Sequence, residues 1–371
     1  MSSEMFDLAV AGGGPAGLAA ALAARQRGLT AAVADPGQPP IDKACGEGLL
    51  PDSLAALRAL GVDPPLSAGF PFAGIRFLSR DAHVDARFPQ GPGLGIRRTI
   101  LHQMMADRAA QAGVKLLWRR RVTGLSSRGL ILGTREIPAR WIAGADGQNS
   151  RVRNWAGLES TGRVRPRFGF RIHYLIEPWT DFMEVYWCDG AQIYVTPVAH
   201  NEVCVVALSR DPHLRLEAVL PRLPALHARL KNAPTSSAER GAISIVRRIP
   251  RVASSRVALI GDASGSVDAV TGFGLGLAFR HAHSLAGALY RGRPDDYNTA
   301  HRHLMRRPAL MSSLLLTLDR VPLLRRRVLN AFREHPNLFE TMLSMHVGEI
   351  SAAAFTRDAL LPLGWRLLTA R

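Results

Sequence analysis

Lysine is almost missing from this chain. Only Lys43, Lys115 and Lys231 occur, so nearly all of the 47 basic residues among its 371 are arginine. The net charge of +17 is spread along the sequence, with denser groups at Trp118–Val122, Arg302–Arg307 and Leu324–Val328. A nucleic-acid reader concentrates its charge among interleaved aromatics, and aromatics make up only 6% here, so nucleic acid is not an expected partner. A negatively charged ligand or an anionic membrane surface explains the sign at least as well. Cysteine is scarce too. Cys45, Cys188 and Cys204 are odd in number and widely spaced, which provides neither a disulfide framework nor metal-ligand spacing. No metal is expected, and a reducing cytoplasm is the expected setting. Long apolar runs are also lacking: no charge-free stretch reaches the length of a membrane span, and neither end reads as a cleaved leader.

What is present is ordinary globular composition, 47% apolar and 21% charged, at a length that suggests about two domains. The opening reads as a βαβ unit: apolar Phe6–Ala11, alanine-rich Pro15–Arg27, then apolar Leu29–Ala34. Asp52–Leu60 and Arg98–Ala112 read as helices stopped by Gly61 and Gly113. Val114–Trp118, Trp141–Ala145 and Val257–Ile260 are expected strands, and Leu275–Tyr290 a helix. Between them, Phe168–Ile176, Met183–Trp187, Gln192–Pro197 and Val203–Leu208 follow at hairpin-scale separations, as in an antiparallel sheet.

Gly12-Gly-Gly14-Pro15-Ala16-Gly17 follows the first strand and opens the first helix. Gly12 permits the tight turn, Gly14 lets the backbone approach a pyrophosphate, and Gly17 lets helix and strand pack closely. The helix start offers unpaired N–H groups and the positive end of its dipole. Asp35, 23 residues after Gly12, stands where a carboxylate accepts ribose hydroxyls and disfavours a 2′-phosphate. The other reading is a glycine-rich turn without ligand.

Two later segments specify the dinucleotide. Gly144-Ala-Asp146-Gly147-Gln-Asn-Ser150-Arg-Val-Arg153 resembles the Asp-Gly motif of the flavoprotein hydroxylases at every fixed position. Ala258-Leu-Ile-Gly261-Asp262-Ala263 is similar to the family's Gly-Asp motif, and Arg98 matches the arginine that opens its preceding helix. For Asp146 or Asp262 alone, an N-cap or turn role is the alternative. The resemblance implies FAD as cofactor, with NAD(P)H as a transient electron donor, although no second glycine fingerprint occurs. It implies cofactor contacts at Gly12, Gly14, Pro15, Ala16, Gly17, Asp35, Cys45, Gly46, Arg98, Val122, Asp146, Gly147, Gly261, Asp262, Gly272, Phe273 and Gly274. The implied fold is α/β with an α+β insert. A Rossmann-like FAD domain (1–73, 96–160 and 252–292) carries an inserted mixed antiparallel β-sheet domain for substrate (74–95 and 161–251), and a helical region (293–371) follows.

Cys45-Gly-Glu-Gly-Leu49 and the run from Gly261 to Gly274 resemble the geranylgeranyl reductases and their monooxygenase-like bacterial relatives. Phe273 stands where reductase-like members commonly carry glutamate. The resemblance thus implies a monooxygenase acting on an aromatic, phenolic or lipid-like metabolite through a flavin hydroperoxide. The alternative is a reductase of alkene bonds; a halogenase is less favoured because no W-x-W-x-I-P segment occurs. No acid–base dyad stands out, so catalytic assignment stops at groups near the flavin: Cys45, Gly272, Phe273 and Gly274. Backbone N–H groups at Gly272–Gly274 are expected to face the N1/O2 edge of the ring. Arg171, His173, Tyr186, Tyr194 and Thr196 are candidates to face a small-molecule substrate, with solvent-facing strand positions as the alternative. Pro308–Leu329 with Arg325–Arg327 reads as a helix that either lies on an anionic inner-membrane face or caps the FAD domain.

Overall fold

The computed structural model describes residues 5–79, 83–159, 165–361 and 364. The expected boundary at 160/161 lies outside the described residues. In chain order, the first part contributes β1 (Phe6–Ala11), α1 (Pro15–Arg25), β2 (Ala31–Asp35), α2 (Pro51–Arg58), β3 (Gly74–Leu78), β4 (His83–Arg87) and α3 (Arg98–Gln111). There follow β5 (Lys115–Trp118), β6 (Arg135–Gly144), β7 (Arg167–Tyr174), β8 (Phe182–Cys188), β9 (Ala191–Ala199) and β10 (Glu202–Ser209). The last are β11 (Arg240–Ser244), β12 (Val257–Leu259), α4 (Gly274–Tyr290), α5 (Asp296–Arg320), α6 (Pro322–Glu334) and α7 (Pro336–Val347).

Strands β12, β6, β1, β2 and β5 lie side by side in that order and all run parallel. Parallel strands are covered on both faces, which is why β1 and β2 read as unbroken apolar runs. The alanines of α1 leave little side chain between helix and sheet, and Leu18 and Leu22 are at most 1% exposed. Helix α4 packs alongside α1. The fold is thus α/β around a Rossmann-like unit, as expected.

The second sheet has the order β11-β7-β10-β9-β8-β3-β4, antiparallel except where β3 runs parallel to β8. Alternation alone could not place β3 and β4. Strand β3 arrives about a hundred residues before its neighbour β8, a pairing that only tertiary structure makes, and β4 pairs with β3.

Helices α5–α7 cover this sheet, burying Met311, Leu315, Phe332 and Phe339 against Phe77 and Trp187. The expected helix over Pro308–Leu329 is corrected. Helix α5 carries Pro308 inside it and ends at Arg320, and α6 begins at Pro322. Proline fits the first position of a helix, where its missing N–H has no partner to lose. Arg325 is 9% exposed, its guanidinium 5.9 Å from the Trp187 ring and 3.2 Å from Asp189. The first arginine of the cluster therefore serves packing, while Arg326 and Arg327 remain exposed. Among the described residues, no helix is long and apolar enough to cross a membrane.

Candidate functional site

A cavity of about 540 Å³ runs from the C-terminal ends of β1, β2 and β6 to the face of the second sheet. The carboxyl ends of parallel strands are where ligands of such sheets sit. Its glycines fall into two physical kinds. A Cβ on Gly12 (φ 110°) would stand 2.4 Å from Ala145 O, and one on Gly17 would stand 1.8 Å from Gly12 O. These two are held by close backbone packing. At Gly14, Gly46, Gly147, Gly272 and Gly274, a Cβ would meet no protein atom within 4 Å, and all five residues line the cavity. Open space beside bare backbone is what a dinucleotide needs in order to approach main-chain N–H groups.

The acidic and basic groups fit the same ligand. Asp35 lines the cavity and accepts from Gly13 N–H at 2.7 Å and Gly37 N–H at 2.6 Å, which fixes its carboxylate at the end of β2. Arg98 lines the cavity at the start of α3, and its Nε has no partner in the protein. A buried guanidinium donor without an acceptor suits an anionic group. Pro15, Ala16, Val122 and Gly261 line the same space. Asp262 does so as well, partly exposed, with Lys43 Nζ 3.6 Å away.

Asp146 behaves differently. Its carboxylate accepts from Ser150 Oγ at 2.5 Å and from the N–H groups of Arg151 and Val152 at 2.7 and 3.1 Å. Ser150 is the N-cap of the short helix Arg151–Trp155 and the Asp146 side chain braces that cap and the first-turn N–H groups, so its carboxylate serves the turn, while Asp146 and Gly147 still line the cavity. Arg153, in the same motif, is buried and donates to Gln148 O at 2.9 Å and Ala263 O at 3.1 Å. It straps the Asp-Gly turn to the Gly-Asp turn. An Arg153→Met variant, which keeps the stem and removes both bonds, is expected to lose about 2–4 kcal/mol. The check is weaker FAD retention on dilution together with a lower urea midpoint.

The segment from Val270 to Gly274 corrects part of the expectation. The N–H of Gly272 donates to Ala269 O and that of Phe273 to Thr271 Oγ1, so neither points freely into the cavity. The free donors are those of the first turn of α4, where Gly274 and Leu275 line the cavity with no acidic residue to cancel the dipole. Phe273 is fully buried and stacks on His346 with ring centroids 4.4 Å apart. It supports the turn from behind instead of facing the ligand. His346, from α7, pairs through Nε2 with Thr271 O at 3.0 Å. His301, from α5, pairs with Ser264 Oγ at 3.1 Å. Burial pushes both imidazoles down to about 4. The C-terminal helices thus buttress both turns of the Gly261–Gly274 run, a role the sequence did not suggest.

Of the five substrate candidates, Tyr194 lines the cavity, beside Met183, Val206, Leu208 and Val267. The others turn away from it, because their strand positions face packed elements. Tyr186 donates to Glu184 at 2.7 Å. Thr196 is buried with its hydroxyl unpartnered. Arg171 and His173, both 0% exposed, meet Glu47 and Asp42. Burial raises the Asp42 carboxyl, but hydrogen bonding and attraction from Arg171 and then Arg240 outweigh it, and the carboxyl sits below its ordinary value.

Cys45 lines the cavity half-buried, and its sulfur accepts from Glu47 N–H at 3.4 Å. Glu47 itself escaped sequence reasoning, although it lies inside the glycine-rich segment already singled out. So did His102, which bonds Gly13 O at 2.8 Å and ties α3 to the phosphate turn. Burial lowers the pKa of His102. A lone histidine on a helix carries no signal of such a role.

Comparison with known proteins agrees with this geometry. The FAD binding domain family matches residues 5–296, well over half of the chain. A menaquinone reductase of Mycolicibacterium smegmatis is 27% identical over 354 residues, 85% of each chain. A digeranylgeranylglycerophospholipid reductase of Methanothermobacter thermautotrophicus is 31% identical over 177 residues, 43% of each. A solved flavoprotein/dehydrogenase from Cytophaga hutchinsonii superposes with a TM-score of 0.83 at 19% identity, covering 98% of this chain and 99% of the other. At that identity the likeness is one of fold.

Proposed function

Since the chain belongs to the FAD binding domain family and is an FAD-dependent oxidoreductase, we propose that it reduces a carbon–carbon double bond in an isoprenoid or similarly apolar chain. The observation that carries this reading is the wall opposite the cofactor groove. Met183, Val206, Leu208 and Val267 offer apolar contact there, and the polar neighbours that also line the cavity are engaged within the protein: Asp268 by Arg167, Ser244 by the Ala269 N–H, and Ser266 by Ile245 O. Tyr194 adds a ring whose hydroxyl lies 3.3 Å from Gln192 Oε1, within the strand. An aromatic or phenolic substrate for oxygenation needs polar groups to fix its ring, whereas an alkene chain needs shape and dryness. The relatives named as reductases of menaquinone and of a geranylgeranyl lipid support the same direction.

Once reduced, bound FAD would supply the hydride, and a proton would complete addition across the double bond. The chain's own residues do the rest. Arg98, the phosphate turn and the α4 N-terminus would hold the anionic parts of the cofactor. The apolar wall aligns the chain and excludes water. NAD(P)H as a visiting electron donor is part of the proposal.

Mass spectrometry of the product tests it. Anaerobic turnover of a polyprenyl substrate with chemically reduced enzyme is expected to add two hydrogens. Oxygen-dependent gain of one oxygen atom would overturn the reading in favour of oxygenation.

A further inference from the structure

A buried ion pair joins the apolar wall to the turn that leads into α4. Arg167, at the start of β7, and Asp268 are 3% and 2% exposed, and Arg167 Nη1 donates to Asp268 Oδ1 at 2.8 Å. On the wall side, Arg167 Nη2 donates to Gln192 Oε1 at 2.7 Å and to Leu208 O at 3.4 Å. The same Gln192 oxygen takes the Tyr194 hydroxyl. Asp319, 3.9 Å from Arg167, has its own cation in Arg210 at 2.5 Å. The charge left for Arg167 to balance is therefore that of Asp268.

Asp268 builds the turn. Its Oδ1 also accepts from Val270 N–H at 3.0 Å, and its main-chain oxygen accepts from Thr271 N–H at 3.1 Å and Thr271 Oγ1 at 2.8 Å. Ser312 of α5 and Ser244 of β11 accept from the N–H groups of Asp268 and Ala269 at 3.2 and 3.0 Å. Gly272 then turns the chain with a φ of 66°, and α4 begins at Gly274. Asp268 lines the cavity, as do Val267 of the apolar wall and Gly272 and Gly274 of the cofactor groove. Groove and wall meet along this run, which is where a reducible ring and its substrate have to meet.

We infer that Arg167 is a positioning residue that makes the bound flavin easier to reduce. It acts through Asp268, by fixing the turn into α4 and by cancelling the carboxylate charge. Hydride addition brings two electrons and one proton, taken from a nicotinamide donor that is oxidised in the step. The flavin ring thereby becomes one charge more negative. A bare carboxylate in the same cavity opposes that change, because charges in a dry site are weakly screened, whereas a paired one does not. The guanidinium fork suits the task, since it reaches a carboxylate and an amide oxygen at once. The inference rests on FAD binding and not on the identity of the substrate.

The readout is the potential of the bound flavin, measured without oxygen at fixed pH against a redox dye. Arg167→Met bares the Asp268 carboxylate, and the equilibrium constant for flavin reduction is expected to fall on the order of tenfold. Asp268→Asn keeps the side-chain shape and an acceptor for Val270 N–H but bares the Arg167 cation. The same constant is expected to rise by a similar factor. The double variant removes both charges and should return close to the unaltered value. Arg167→Lys, which keeps the charge, should also stay close to it. Should Arg167→Met lose FAD, Asp268→Asn decides by its sign. Unchanged potentials overturn the inference. So does a shift of both single variants in one direction, which is what loosening of the turn alone would produce. No alkene takes part in this measurement, so failure to reduce a double bond counts against the substrate reading only.

Discussion

A Gly17→Ala variant is expected to lose about 4 kcal/mol of stability, whereas Gly14→Ala, three residues away, should fold normally and fail to retain FAD. The added Cβ at position 17 would stand 1.8 Å from Gly12 O and 3.2 Å from Val10 Cγ1. Backbone cannot rotate aside, so α1 must lift from β1 and open the packing of Leu18 and Leu22. At position 14 nothing lies within 4 Å, so the methyl group meets only cavity. It intrudes where a pyrophosphate would approach the helix N-terminus. Thermal unfolding and FAD retention measured side by side separate the two effects. Equal losses of stability in both variants would show that the space at Gly14 is not kept for a ligand.

Acid is expected to unfold the protein early, between pH 6.5 and 4, because His301 and His346 are buried with their imidazoles pushed down to about 4. Their ordinary value is 6.5, so over that window the unfolded chain binds protons that the folded chain refuses. The stabilising contribution is complete above pH 6.5 and is lost as pH falls through the folded value. Each group contributes roughly 3 kcal/mol at neutral pH. The two act on the same segment: one holds Ser264, the other Thr271 and the Phe273 ring. FAD should therefore dissociate along with the loss of stability. Urea midpoints measured across the window should fall steeply in the unaltered protein and less steeply in His301→Gln and His346→Gln. An unchanged slope in the variants would place the acid sensitivity elsewhere.

The FAD half of the molecule was legible because its demands are local. A phosphate turn needs glycine at particular positions, a parallel strand needs an apolar run, and both appear within a few residues of one another. Gly12, Gly17, β1 and α1 stand where the sequence put them. Some signatures were legible as signatures but not in their roles. The Asp146 carboxylate braces the first turn of a helix capped by Ser150, and Phe273 supports a turn from behind, because a motif records which residues are present and not which way each side chain points.

Strand alternation indicated that Arg171, His173 and Tyr194 belong to one sheet, and polarity suggested all three for substrate. Period two separates the faces of a strand but does not say what covers each face. The loop around Glu47, more than a hundred residues earlier, covers Arg171 and His173, and the cavity falls to Tyr194. The sequence by itself determined the opening βαβ unit and its phosphate turn, since these rest on contacts between near neighbours in the chain, and the resemblance carried by the Asp146 and Asp262 segments implied the cofactor. Tertiary structure alone decided the apolar cavity wall, the histidine buttress from the C-terminal helices and the meeting of Ser237, His173 and Glu47. Each of these joins segments far apart in sequence, and no local residue preference encodes such a meeting.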